Sequence, residues 1–263
     1  MLLCPVCAEP LSQQDRTLRC GNGHCYDIAK EGYVNLLRTN KSGDKIGDDK
    51  YSARSRRDFL NKGYYAPLKD ALCQIFADKQ GSVLDICCGE GYYTSALGEN
   101  PNLQVYGFDI AREMIRLAAK RGNGTYFVAN MASIPVADHS FDFAIHLFAP
   151  FHEKEFRRIL KPGGSLYTVI PGENHLYGLK RALYDTPYQN DEMLPQTDFL
   201  QLVSTEKVTA NITLATPEDI ESVFRMTPYY FHTSQADREK LSAYQTLETP
   251  IEFVIARFTM PEE

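Results

Sequence analysis

No stretch of this 263-residue sequence is apolar over the length a membrane helix needs, and no charged start followed by a short apolar core resembles an export leader. These two absences lead to the expectation of a cytoplasmic chain with no membrane partner. An excess of positive charge is also missing. Lys and Arg number 28 against 34 Asp and Glu, a net charge of −6, which argues against an unselective binder of polyanions. Any contact with nucleic acid must therefore be local. The G-x-G-x-x-G turn of a dinucleotide site is absent as well.

At 43% hydrophobic residues, the chain can bury one full α/β core plus a small module too short to build a core of its own. Such a module needs a staple. Seven cysteines are available, and in a reducing compartment clustered cysteines favour metal over disulfide. Cys4 and Cys7 stand in CPVC, where Pro5 suits a tight knuckle, and Cys20 and His24 follow in CGNGH. Two ligands on a knuckle supply half of a tetrahedral zinc site. Cys25 competes with His24 for the fourth place. His24 is the better candidate, because Gly21 and Gly23 free the backbone to bring an imidazole round while Cys25 points away from its neighbour. Four protein ligands leave no position for water or substrate, so one zinc ion per chain is expected in a structural role.

Residues 1–37 form this zinc module, with 26–37 completing it as a strand and turn. Residues 38–60 read as a mobile basic linker, with Arg38, Lys41, Lys45, Lys50, Arg54, Arg56 and Arg57 against Asp44, Asp48 and Asp49. Two readings of it stay open: a solvated loop, or an arm that contacts phosphates.

Residues 61–263 carry a cofactor domain. SVLDIC followed by glycines and YYTSALG reads as strand, turn and helix, with Asp85 ending the strand. Gly89 and Gly91 let backbone approach a ligand at the carboxyl end of that strand. In LQVYGFDIAREMIRLAAKRG a second strand ends at Asp109, roughly twenty residues past the turn and within reach of ribose hydroxyls. TYFVAN, FDFAIHLF, the helix EKEFRRIL and KPGGSLYTVIP continue the alternation, which implies a mainly parallel sheet. After residue 195, FLQLVSTEKVTANITL, the helical TPEDIESVFRM and PIEFVIARFTM complete it, the last strand antiparallel.

These elements resemble the class I S-adenosylmethionine-dependent methyltransferases, a Rossmann-like α/β fold. CPVC, CGNGHCYD, AKEGYVNLL, GYYAPL, DICCGEGYYT, FAP at 148–150 and KPGG followed by PGENHL narrow the resemblance to the 23S ribosomal RNA guanine-N1 methyltransferases. It spans the chain to about residue 180. The resemblance implies a cytoplasmic homodimer that methylates N1 of one guanine in a 23S rRNA hairpin, using S-adenosyl-L-methionine, with the zinc module contributing to RNA recognition. Carried over by motif, the zinc ligands are Cys4, Cys7, Cys20 and His24, and the cofactor contacts are Tyr65, Gly89, Glu90 and His175. Cys87 departs from the family's first glycine of the turn, and a cysteine fits there if its φ stays negative.

Tyr65 is equally readable as a plug between linker and sheet, and His175 as a surface histidine in a loop. Phe148 and Phe151 are candidates to stack an extruded guanine or to pack the rim. His146, His152 and Asp109 are candidate bases by location, with none singled out. No Pro-Cys motif is present of the kind that attacks C6 of a pyrimidine, which disfavours pyrimidine-C5 methylation. Two other functions stay in view: methylation of a small or quinone-like molecule, and zinc-dependent RNA binding with a vestigial cofactor site.

Overall fold

The computed structural model describes residues 2–38 and 50–262, with the side chains of 50–52 left aside. In chain order the strands and helices are β1 (Ser12–Gln14), β2 (Thr17–Arg19), β3 (Cys25–Asp27), β4 (Val34–Asn35), α1 (Lys50–Asn61), α2 (Ala66–Ile75), β5 (Gly81–Ile86), α3 (Tyr92–Leu97), β6 (Leu103–Asp109) and α4 (Arg112–Arg121). They continue as β7 (Thr125–Val128), β8 (Phe141–Leu147), α5 (Glu153–Ile159), β9 (Leu160–Pro171), α6 (Tyr177–Leu183), β10 (Gln201–Leu214), α7 (Pro217–Arg225), α8 (Gln235–Glu239) and β11 (Leu247–Thr259).

β5 is buried along almost its whole length because its neighbours β6 and β8 flank it in parallel and helices cover both faces. Successive side chains then go to opposite sides. Val83 joins Leu68, Leu97 and Phe253 on one face, whereas Leu84 and Ile86 join Phe108, Phe141 and Phe156 on the other. The eight-stranded sheet has the order β10-β11-β9-β8-β5-β6-β7-β4. β11 is antiparallel to both β9 and β10, while the remaining pairs are parallel. This is the expected Rossmann-like methyltransferase sheet with its antiparallel last strand. Since β5 is central, its carboxyl end opens into the crevice where such sheets take ligands.

The zinc module holds a three-stranded antiparallel sheet, β1-β2-β3. Its last residues also pack into the large sheet. β4 pairs in parallel with β7, Val34 opposite Phe127, and Leu18, Val34 and Leu36 enter the core of the large sheet's second face. A module too small to bury its own apolar residues lends them to its neighbour. Backbone bonds from Leu3 N–H to Pro135 O at 2.8 Å and from Leu36 N–H to Val128 O at 2.9 Å fix the docking.

The expected linker, 38–60, is corrected in its second half. Residues 39–49, with Lys41 and Lys45, lie outside the described residues, but Lys50–Asn61 is the helix α1. Ala53, Arg56 and Leu60 recur at helical spacing along one stripe. Ala53 packs with Ala111, Met114 and Leu117 of the α4 region, and Phe59 and Leu60 enter the main core. Helix packing thus splits the basic cluster: Arg54 is exposed and Arg57 pairs with Asp58 at 2.7 Å, whereas Arg56 is directed toward the ligand crevice.

Candidate active site and metal centre

Cys4, Cys7, Cys20 and His24 each offer one ligand atom, and all four atoms lie within 4.8 Å of one another. Tetrahedral zinc with ordinary bond lengths requires edges of roughly 3.8 Å between sulfurs and roughly 3.6 Å between sulfur and nitrogen. The Cys7 and Cys20 sulfurs are 3.7 Å apart, and His24 Nδ1 lies 3.3–3.5 Å from Cys4, Cys7 and Cys20. The donor set fits zinc. Gly23, at φ +84°, makes the turn that brings the imidazole inward, and the exposed Cys25 points its sulfur at Gly23 O, 3.3 Å away. The Tyr26 hydroxyl lies 3.1 Å from Cys4 Sγ, where it can donate to a metal-bound thiolate.

Two cavities meet over the carboxyl ends of the central strands. The first, about 300 Å³, is lined by Asp85, Cys87, Gly89, Glu90, Tyr93 and Asp109 among others. At Gly89, with φ +56°, a Cβ would enter open space. Asp109 braces the turn from the next strand, its carboxylate accepting the N–H of Gly89 at 3.0 Å and that of Ala111 at 2.8 Å. Glu90 gives Oε2 to Arg121 at 2.5 Å, while its buried Oε1 has no partner, nor has the buried hydroxyl of Tyr93. Such orphaned polar atoms in a cavity wall fit a polar ligand that satisfies them. Burial raises the Glu90 carboxyl, with Arg121 opposing. Asp85 is buried deeper and pushed up to about 7, chiefly by burial, with the Thr94 hydroxyl 2.5 Å away opposing and the Asp109 charge adding.

Three of the residues expected to contact the cofactor, Tyr65, Gly91 and His175, do not line the first cavity. Gly91 lines neither cavity. At φ +78° it starts α3, and a Cβ there would come 2.8 Å from that of Ala118, so this glycine serves close helix packing. Tyr65 and His175 line the second cavity, about 560 Å³, with His146, Phe148, Phe151, Asn190, Arg225 and Phe231 also in its wall. Cys87 does not meet the condition of a negative φ: it sits at +58°, strained for a residue with a Cβ, with its sulfur 3.9 Å from Met131 Sδ.

The histidines are fixed by their partners. His175 Nδ1 accepts the N–H of Glu252 at 3.3 Å, so Nε2 carries the proton and donates to the Tyr65 hydroxyl at 3.3 Å. Burial, reinforced by the charge of Lys180, holds His175 down at about 3. His146 Nε2 donates to Pro150 O at 3.1 Å, leaving Nδ1 to accept from the Thr168 hydroxyl at 3.0 Å. Burial lowers it to about 4. Both nitrogens of both rings are engaged, and His152 lines neither cavity.

Phe148 belongs to both cavities, is 46% exposed and has φ +54°. Arg56 and Ala149 are likewise shared. The sequence signals Phe148 through FAP but does not signal Arg56 as a wall residue. Its placement is legible only once the Ala53, Arg56, Leu60 stripe is recognised as helical. Asn190 carries no local signal. Its position comes from bonds to Lys180 Nζ at 2.7 Å, Gly172 O at 3.0 Å and His175 O at 2.9 Å.

A zinc-ribbon family model described as RlmA, N-terminal, matches residues 2–43, and one described as Methyltransferase domain matches residues 83–164. The 23S rRNA (guanine(748)-N(1))-methyltransferase of Streptomyces fradiae is 37% identical over 190 residues, 69% of this chain and 67% of that protein. YxjB of Bacillus subtilis (strain 168), provisionally named a 23S rRNA (guanine-N(1)-)-methyltransferase, is 30% identical over 229 residues, 82% of this chain and 78% of that protein. A demethylmenaquinone methyltransferase of Chlorobaculum parvum is 32% identical over 160 residues, 54% of this chain and 66% of that protein.

Proposed function

The chain belongs to the 23S rRNA guanine-N1 methyltransferase family, and on that premise we propose that it methylates N1 of one guanine in a hairpin of 23S rRNA. It is a methyltransferase whose cofactors are S-adenosylmethionine and a structural zinc ion. The observation that carries the proposal is the meeting of two cavities at Phe148 and Ala149, one at the glycine turn and one of a size usual for small-molecule sites.

When bound, S-adenosylmethionine supplies an electrophilic methyl group on a sulfonium that leaves as a neutral thioether. In this proposal Asp109 accepts from its ribose hydroxyls, Gly89 leaves room for it, and the unpartnered Glu90 Oε1 accepts from one of its nitrogen donors. The extruded guanine occupies the second cavity, since an enzyme acting on the Watson–Crick edge has to take the base out of its pair. Phe148, held at positive φ between the cavities, stacks on it, and Phe151 backs the wall. His146 and His175 hold protons for structural bonds, so the N1 proton leaves to water and rate comes mainly from alignment. Tyr65 and His175, bonded to one another, close the second cavity beside the methyl-transfer point.

Residues 1–37 with their zinc, and the basic residues that follow, contribute RNA contacts in the same reading. A second copy of the chain would complete the RNA cleft, and the cytoplasm is where the substrate is found. Small-molecule methylation leaves the ribbon without a part to play, and the demethylmenaquinone enzyme matches a smaller share of the chain than the YxjB relative does. Transfer of labelled methyl groups to a 23S rRNA hairpin transcript, offered beside a panel of quinones and small metabolites, tests the proposal. Label in the RNA supports it, and label confined to a small molecule refutes it.

A further inference from the structure

Arg56 is the one cation among the described residues that lines both cavities. The neighbouring cations are placed differently. Arg57 lines neither cavity, and Arg225 lines the second only. The α1 stripe that buries Ala53 and Leu60 brings Arg56 to the junction, and its charge is felt at Glu90 of the first cavity and at the Tyr65 hydroxyl of the second. The other titratable groups in the walls are Asp85, Asp109, Cys87, Cys88, Tyr92 and Tyr93 in the first cavity, and His146, His175, Arg225 and Tyr229 in the second.

Guanine N1 becomes a nucleophile only as its proton leaves. In the reaction that proton passes to water, the N1 lone pair forms the N1–CH₃ bond, and the pair of the broken carbon–sulfur bond stays on sulfur. Until the new bond is complete, the negative charge left on the base is shared between N1 and the adjacent O6. We propose that Arg56 donates to O6 of the target guanine and stabilises that charge as N1 is methylated, a catalytic role that rests on the guanine reading above. A guanidinium remains charged at every working pH and presents several donors in a rigid fork, which suits a carbonyl oxygen gaining charge. It also lies where base and methyl donor meet, whereas Asn190 and Arg225 lie in the wall of the second cavity alone.

The test is single-turnover methylation of the rRNA hairpin by the full-length zinc-loaded protein, as Arg56→Gln and Arg56→Lys, over a range of pH and salt. Removing one charge-stabilising donor typically slows the chemical step by about 10²–10³-fold. Arg56→Gln is expected to show a loss of that order near neutral pH, shrinking as rising pH ionises N1 unaided. Arg56→Lys should fall between it and the parent, and both should bind S-adenosylmethionine as the parent does. A loss that is equal at every pH and accompanied by a shallower salt dependence would make Arg56 a phosphate contact and overturn the proposal. Unchanged rates in both variants, or a collapse of cofactor affinity, would overturn it too. A parent protein that never methylates N1 sinks the guanine reading itself, so the two failures are distinguishable.

Discussion

The backbone N–H of Gly89 donates to the carboxylate of Asp109 across 3.0 Å, so the acid expected at the ribose also shapes the turn that must accept the cofactor. Replacing Asp109 with Ala removes a charge-assisted acceptor worth roughly 1.5–3 kcal/mol and loosens Gly89 at once. Affinity for S-adenosylmethionine should fall by about one to two decades, as measured by calorimetry. Affinity equal to the parent's would remove Asp109 from the cofactor site.

Cys87→Gly relieves a strained left-handed conformation and opens space in the first cavity. The variant should bind S-adenosylmethionine at least as well as the parent. A large loss would mean that the sulfur contacts the cofactor.

The stability of the fold should carry the signature of Asp85. Its folded-state value of about 7 lies above the ordinary unfolded value of about 3.9, so the folded chain holds this proton more tightly than the unfolded chain. The associated stability is fully present below about pH 4 and lost as pH rises through about 7. Asp85→Asn does not titrate, so its urea midpoint should gain on the parent's as pH is raised from 4 to 7. A difference between the two that is constant with pH would contradict the assignment.

One zinc ion per chain should be found by metal analysis. Cys7→Ala and Cys20→Ala should release it, whereas Cys25→Ala, whose sulfur faces Gly23 O, should retain it. Since Val34 and Leu36 belong to the large core, residues 34–36 should stay protected from protease while the preceding module is cut. Zinc lost by Cys25→Ala and kept by His24→Ala would reverse the ligand choice.

Arg54 and Arg57 are the surface part of the basic cluster. Replacing both by Gln should make the log–log salt dependence of RNA binding shallower by about 0.7–0.9 units for each phosphate that is no longer neutralised, with cofactor affinity unchanged. An unchanged slope would make this face an ordinary solvated one.

The central strands were legible because β5 and β8 are short apolar runs whose side chains are buried on both faces, and because Asp109 and Gly89 belong to one local strand–turn–helix pattern. The zinc ligands were legible for the same reason, since knuckle spacing is local. α1 was not: Arg54, Arg56, Arg57 and Asp58 dominate its composition, and its apolar stripe gains meaning only against Met114 and Leu117 of a distant helix. β4 is two residues long and becomes a strand only by pairing with β7. The second cavity draws on loops after β8 and β9 and on the turn Pro228–Phe231, so Tyr65 and His175 could be named by motif but not placed relative to the glycine turn.

The central claim is that this protein methylates N1 of a guanine in 23S rRNA. Mass mapping of 23S rRNA fragments from a strain lacking the gene, beside the same strain with the gene restored, tests it most directly. The account predicts one hairpin guanine that is heavier by a single methyl group when the gene is present and that stops reverse transcription because the methyl blocks its pairing edge. Identical maps from the two strains would contradict it.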